Sequence, residues 1–341
     1  MASDDLLLLK GSDIDRLLRQ QEDAVLTVVQ RAYQAHAIGQ TFMPPDSYLR
    51  FPTMEKERII SKVAYLGGDF DVAGIKWIAS FPGNLAKGME RASATLILNS
   101  TETGRPVAIM ESAIISAKRT GASAALGARV LWPQDRLADV GLIGCGLINF
   151  ETLRFLLAVY PMIETVHLFD LSADRAAQFC AKAQSLKAGL QFMLEEGVPA
   201  VVERAPVVSL ATTAVTPHIA SLAGHRQDAV MVHLSLRDFT ADLILQADNV
   251  VDDADKVCSN NTSLHLAEQQ AGHRHFIRTT IGDLLNGAAP PRDFSKPIAI
   301  YSPFGLGILD LAVADLAHRL AQTQHIGLTI DNFLSKSWLE R

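Results

Sequence analysis

Apolar residues recur with two different rhythms along this chain, and the change falls near residue 130. Before it, Leu6 to Leu9 reads as a short strand, Ser12 offers an N-cap, and the spacing predicts a single helix from about Asp13 to His36. Pro44 to Pro52 reads as an irregular connection. Arg58 to Leu66, Val72 to Ala79 and Thr95 to Asn99 have the pattern of strands, joined through Gly67-Gly68, Phe81 to Asn84 and Thr101 to Pro106. Strands linked by short turns with no helix between them predict an antiparallel α+β arrangement. A helix rich in small residues follows, from Glu111 to Val130.

After it, strand and helix alternate. Val140 to Ile143, Thr165 to Asp170, Val207 to Ala211, Val230 to Leu236, Asn249 to Asp252 and Ile298 to Tyr301 are the apolar runs. That rhythm predicts a doubly wound parallel sheet. The helix after Gly305 and Gly307, to about Gln324, reads as a return to the first domain. The expected architecture is therefore α/β: a doubly wound domain over 129–302, inserted in an α+β domain made of 1–128 and 303–341, with the catalytic cleft between the two.

The first strand of the second rhythm ends in Gly144-Cys145-Gly146, and a helix opens at Leu147. Gly144 permits a tight turn, and Gly146 lets backbone N–H groups at the helix start, those of Leu147 and Ile148, approach a pyrophosphate. Asp170 closes the next strand and is placed to accept bonds from ribose hydroxyls, which predicts a Rossmann site for NAD in preference to NADP; Arg175 weakens that preference a little. The third glycine position is Asn149, whose side chain is expected to hold the helix slightly away from the strand. Thr212, Thr213 and Ser235 follow strands at the carboxyl edge of the sheet, where a ligand in the crevice lies. Asp238 stands at the same edge, as a turn or cap carboxylate or as a chemical group.

A net charge of −6 removes the broad positive field that nucleic-acid binding needs, so a small anion must be held by a few local cations. Three scattered cysteines, with no Cys-x-x-Cys, argue against a disulfide framework and fit a reducing cytoplasm. No apolar run is long enough for a membrane span. His273, His275 and Cys258 make a poor metal set, and no metal is expected. Among the cations, Lys76 lies in an apolar strand, facing either solvent or a cleft, where it can act as a base or hold a carboxylate. Arg119, inside the small-residue helix, reads as a carboxylate clamp. Arg50 and Arg91 lie in loops, solvated or turned toward the substrate; Arg91 could also meet cofactor phosphates.

Gly74-Ile75-Lys76-Trp77, Arg91-Ala92-Ser93, Leu98-Asn99, Thr103-Gly104-Arg105-Pro106, Arg119-Thr120-Gly121-Ala122, Gly144-Cys145-Gly146 and Pro303-Phe304-Gly305-Leu306-Gly307-Ile308-Leu309-Asp310 resemble, in order, the ornithine cyclodeaminase/mu-crystallin family. The resemblance implies a homodimer whose first domain binds substrate and mediates dimerisation. It implies that Arg50, Lys76 and Arg119 are the substrate-carboxylate and catalytic cations, and that Thr120 contacts cofactor. Met89-Glu90-Arg91-Ala92-Ser93, Met110-Glu111-Ser112 and Val250-Val251-Asp252-Asp253, followed by Cys258, are similar to the branch that oxidises N-(2-amino-2-carboxyethyl)-L-glutamate and releases 2,3-diaminopropionate for siderophores and peptide antibiotics. Leu234-Ser235-Leu236-Arg237-Asp238 departs from the Gly-Asp-Cys-Pro-Gly-Lys pattern of cyclodeaminases, with the acid shifted by about two positions. The family's other activities, cyclodeamination, imine reduction and non-catalytic binding of a nicotinamide cofactor, are the alternatives.

Overall fold

The computed structural model describes residues 4–340 apart from Glu55, Pro133, Gln227, Pro291 and Ser337. The chain divides into two compact units, Met1–Arg119 with Gly307–Arg341, and Thr120–Leu306.

The first unit opens with β1 (Leu6–Leu9), α1 (Gly11–Leu17) and α2 (Glu22–Ala37). The single helix expected over 13–36 is thus two, and Ser12 lies inside the first; Lys10 is the cap, its N–H bonded to Asp13 at 2.9 Å. Ile14, Leu17, Leu18, Val25, Val28 and Val29 are all buried. The apolar spacing runs unbroken through the interruption, where Gln20 takes φ +57°, and so conceals it.

β2 (Thr41–Phe42), β3 (Ser47–Arg50), β4 (Arg58–Leu66), β5 (Val72–Ser80), β6 (Ala92–Ser100) and β7 (Pro106–Glu111) follow. The supposedly irregular stretch 44–52 contains β3, which pairs antiparallel with β4. β7 fills the stretch between the turn expected to end at Pro106 and the helix expected to start at Glu111. Pro106 is its first residue, a position where the missing N–H breaks no interior ladder bond. β7 runs antiparallel to β6 but parallel to β1, so the sheet is mixed. α3 (Ala113–Leu131) then carries the chain across the boundary between the units.

The second unit contains β8 (Asp139–Ile143), α4 (Leu147–Val159), β9 (Thr165–Phe169), α5 (Ala173–Ala183), β10 (Gln191–Leu194), α6 (Val198–Arg204), β11 (Val207–Leu210) and β12 (Val230–His233). α7 (Ala241–Gln246), β13 (Asp248–Val251), α8 (Ala254–Val257), α9 (Ser263–Ala271), β14 (Ile277–Thr280), α10 (Ile281–Leu285) and β15 (Ala299–Ser302) complete it. The strand order is β10-β9-β8-β11-β12-β15-β13-β14, every pair parallel. β10 and β14 are the two edges that the sequence reading did not anticipate. All four residues of β11, β12, β13 and β15 are buried, as strands covered on both faces require. The order reverses between β8 and β11, the point where such sheets bind ligands beyond the carboxyl ends of their strands.

The chain then re-enters the first unit as α11 (Gly307–Gln324) and β16 (Leu328–Ile330). The first sheet has the order β16-β1-β7-β6-β5-β4-β2, with β3 also on β4. α11 packs on β4, β5 and α2. Side chains alternate across the sheet: Ala64, Leu66 and Lys76 are buried, whereas Val63, Tyr65 and Trp77 on the opposite face are 45%, 38% and 47% exposed.

Candidate active site

Lys76 sits mid-strand in β5, two residues beyond Gly74, on the face covered by α11. A Cβ at Gly74 would stand 2.3 Å from the Ile97 carbonyl oxygen and 2.9 Å from Leu311 Cδ2. Only a glycine there lets α11 lie so close to the sheet. The close approach brings Asp310, in the first turn of α11, against Lys76. Lys76 Nζ donates to Asp310 Oδ2 at 2.7 Å and to Ser116 Oγ at 3.2 Å. Arg119 Nε donates to Asp310 Oδ1 at 3.1 Å, and Arg119 Nη2 to Ser116 Oγ at 3.3 Å. Lys76 is 2% exposed and Asp310 not at all, so this cluster exchanges little charge with water.

Two cations share one carboxylate here, leaving an excess positive charge in a desolvated place. A carboxylate is the kind of anion that can neutralise such a charge. Burial lowers the Lys76 pKa to about 7; Asp310 pulls it up, while Arg119 and Lys62 push it further down. Burial pushes Asp310 up, but Arg119 and Lys76 outweigh it and hold the carboxyl below its ordinary value. Near neutral pH Lys76 can therefore gain or lose a proton, the property a general acid or base needs.

Sequence reasoning quoted Asp310 within a motif but gave it no role, and it missed Lys62 and Asp46. Lys62 is directly opposite Lys76 in the β4–β5 ladder and is paired with Asp46 at 2.5 Å, both nearly buried. Its parity in β4, shared with buried Ala64 and Leu66, is the signal that could have found it. The other predicted cations lie elsewhere in this unit. Arg91 Nη1 donates to Ser80 Oγ at 2.9 Å, four residues along β5 from Lys76. Arg50 ends β3, exposed, with its guanidinium 5.8 Å from the Tyr48 ring centre.

In the second unit, Gly144 takes φ +91°, and a Cβ there would stand 2.6 Å from the Ala211 carbonyl oxygen. The turn is thereby pressed against the end of β11. Asp170 Oδ2 accepts from the Cys145 N–H and Oδ1 from the Ser172 N–H, both at 2.8 Å. The carboxylate thus stands over the turn, each oxygen keeping a second lone pair for a hydroxyl. Gly146 is exposed, has nothing within 4 Å of a Cβ position, and caps α4 without a side-chain bond. Leu147 is exposed and Ile148 half-buried beside it. An open helix N-terminus beneath a glycine, flanked by an acid, fits a dinucleotide. Cys145, inside the turn, has its thiol pushed up to about 12 by burial and Asp170, which makes it inert.

Asn149 is fully buried. Its amide donates to the carbonyls of Ile143 at 3.0 Å and Gly144 at 2.7 Å, and it accepts from Ser209 Oγ at 2.7 Å. The side chain is a cross-tie between turn, β8 and β11.

Asp238, expected at the carboxyl edge of the sheet as a turn or cap carboxylate or as a chemical group, lies in a buried hydrogen-bond network. Leu236 takes φ +64° and the chain after β12 folds inward, leaving Asp238 with no exposure. Thr212 Oγ1 donates to Asp238 Oδ1 and Ser235 Oγ to Oδ2; His233 Nε2 is 3.1 Å from Oδ2, and its Nδ1 3.3 Å from Ser302 Oγ. Burial raises the pKa of this carboxyl, but the His233, Ser235 and Thr212 interactions outweigh it and keep it low. Asp238 orients hydroxyls. Thr212 and Ser235 spend their protons on it, so they offer a ligand lone pairs. Thr213 is exposed beside them, and Thr120 is half-buried on α3. Among the described residues, no three His, Cys, Asp or Glu side chains are grouped to hold a metal ion, and no helix is long and apolar enough to cross a membrane.

The family model described as "Ornithine cyclodeaminase/mu-crystallin family" matches residues 6–324. The chain belongs to that family. It is similar to the N-((2S)-2-amino-2-carboxyethyl)-L-glutamate dehydrogenase of Staphylococcus aureus, 30% identical over 333 residues that cover 96% of this chain and 98% of that one. Among solved structures of the family's fold, an archaeal alanine dehydrogenase dimer with bound NAD superposes with a TM-score of 0.85 at 26% identity, covering 96% of this chain and 99% of the other. The Δ1-pyrroline-2-carboxylate reductase of Thermococcus litoralis, in complex with NADH and L-proline, superposes with a TM-score of 0.87 at 23% identity, covering 95% and 100%.

Proposed function

We propose that this enzyme oxidises N-(2-amino-2-carboxyethyl)-L-glutamate at the glutamate CH–NH bond and releases 2-oxoglutarate and 2,3-diaminopropionate after hydrolysis of the imine. The coarser class is that of an NAD-dependent oxidoreductase acting on an amino-acid CH–NH bond. The observation that carries the reading is the desolvated Lys76–Asp310–Arg119 cluster, one carboxylate short of neutral whenever Lys76 is protonated. The 30% identity to the Staphylococcus aureus dehydrogenase supports this choice of substrate.

NAD, when bound, supplies the hydride acceptor. Gly144, Gly146, Leu147 and Ile148 would hold its pyrophosphate and Asp170 its ribose, with Thr120, Thr212, Thr213 and Ser235 as further groups that would face it. Arg119 and Arg50 grip substrate carboxylates, with Arg91 as a further cation. Lys76 takes a proton from the substrate amine as the imine forms, returns it to the imine nitrogen, and then takes one from the water that adds to the carbon, giving it back to the departing amine as the carbinolamine collapses. Most of the rate enhancement comes from orientation, which can supply on the order of 7 to 11 kcal/mol. Asp310 keeps Lys76 and Arg119 in place for this.

The exposed face bearing Val63, Tyr65 and Trp77 supports a homodimer built on the first sheet. Light scattering of the purified protein should give twice the 37.0 kDa chain mass. For the activity, the synthetic glutamate adduct is incubated with NAD and the products analysed by mass spectrometry. NADH together with 2-oxoglutarate and 2,3-diaminopropionate is the expected outcome; ornithine converted to proline and ammonia without net NADH would replace the reading with cyclodeamination.

A further inference from the structure

The cations of the first unit form a row, and one member of it has no role so far. Ladder register puts Arg50 opposite Arg58, Arg58 opposite Ser80, and Lys62 opposite Lys76. Since parity is kept along each strand, Arg58 and Ser80 project to the same sheet face as Lys62 and Lys76. Arg91 joins them through its 2.9 Å bond to Ser80 Oγ. Three arginines therefore converge where β3, β4 and β5 end.

Among the described residues, no carboxylate lies within 4 Å of the guanidinium of Arg50, Arg58 or Arg91, whereas Lys62, Lys76 and Arg119 each have one. Arg58 and Arg91 are both half-buried, and among the described residues the Arg58 guanidinium bonds the Lys56 carbonyl alone, at 3.4 Å. Burial, and after it the charge of Arg58, lowers the pKa of Arg91. Half-buried like charges side by side are unfavourable unless an anion joins them.

We propose that Arg58, acting with Arg91, is a specificity-determining residue that receives the distal carboxylate of a dicarboxylic amino-acid skeleton, while Lys76 and Arg119 hold the carboxylate beside the reacting carbon. This deepens the function proposed above and rests on it for the identity of the full substrate. Ser80 is four residues from Lys76, about 13 Å along the strand at roughly 3.3 Å per residue. A monocarboxylate held at Lys76 does not bridge that gap. A glutamate skeleton, whose carboxyl carbons are four C–C bonds apart, covers part of it, and the long arginine side chains reach back over the larger remainder.

The test is calorimetric binding of 2-oxoglutarate and of 2-oxobutyrate to the NADH-loaded enzyme, comparing wild type with Arg58→Gln and Arg58→Lys, alongside turnover of the glutamate adduct. Wild type should prefer 2-oxoglutarate by about tenfold or more, the gain expected of a hydrogen bond to a charged group. Arg58→Gln should abolish that preference while leaving 2-oxobutyrate affinity unchanged, and Arg58→Lys should restore part of it. Loss of affinity for both acids alike, or a preference that survives in Arg58→Gln, overturns the assignment. A wild type that shows the Arg58-dependent preference but does not turn over the adduct keeps the distal site and rejects the proposed substrate. A wild type that turns over the adduct without that preference rejects the site and keeps the substrate.

Discussion

Each unit holds a fully buried aspartate, Asp310 in the first and Asp238 in the second, and these two are used in opposite ways. Asp310 is surrounded by cations, Lys76 and Arg119, and stores charge. Asp238 is surrounded by hydroxyls and an imidazole and stores direction, aiming Thr212 and Ser235. A buried acid between cations tunes proton affinity and attracts an anion, while a buried acid among neutral donors only fixes geometry. Charge chemistry is expected of the first unit and positioning of the second.

Replacing each acid breaks this contrast most directly. Asp310→Ala leaves two buried cations unanswered and should cost about 3 to 5 kcal/mol of stability by urea unfolding. Lys76→Ala is the sharper functional test, with turnover falling on the order of 10² to 10⁴-fold and NADH affinity, read by fluorescence, unchanged. Equal losses in both would remove the assigned role. The wild-type pH profile belongs with it: with a Lys76 pKa of about 7, kcat/KM should rise as pH increases through neutrality. The sign for stability agrees. The folded-state pKa lies below the ordinary 10.5, so the unfolded chain binds more protons between the two values, and Lys76 should contribute increasing stability as pH rises from about 7.

Asp238→Asn should be milder, about 1 to 3 kcal/mol, because it removes hydrogen bonds to a charged group without stranding an ion. Its signature is weaker NADH binding with the substrate KM preserved; a shift in the pH profile instead would show that Asp238 carries charge chemistry after all. Asn149→Ala is the smallest change, about 1 to 2 kcal/mol by the same unfolding assay, as one tie across the glycine turn is lost.

What was legible in the sequence follows the same division. The dinucleotide turn could be read because Gly144, Gly146 and Asp170 lie within one strand-helix-strand segment, where local geometry dictates residue type. The edge strands β10 and β14 were not legible, being four residues each and only partly buried, with no apolar run to mark them. Asp310 was visible as part of a motif, but its meaning depends on Lys76, 234 residues away. The burial of Asp238 depends on a left-handed Leu236, which no residue preference announces. Asn149 was noticed as a departure from glycine, and its three-way bonding needed Ser209 from another strand.

The separation of Lys76 from Asp310 also has a consequence for biogenesis. At about 5 to 20 residues per second, translation delivers the aspartate roughly 12 to 47 seconds after the lysine. Throughout that interval the nascent sheet has neither α11 to cover its inner face nor β16 to pair with β1. The second unit is wholly translated before α11 is finished, so the first unit, although begun earlier on the ribosome, is the last to receive all of its residues.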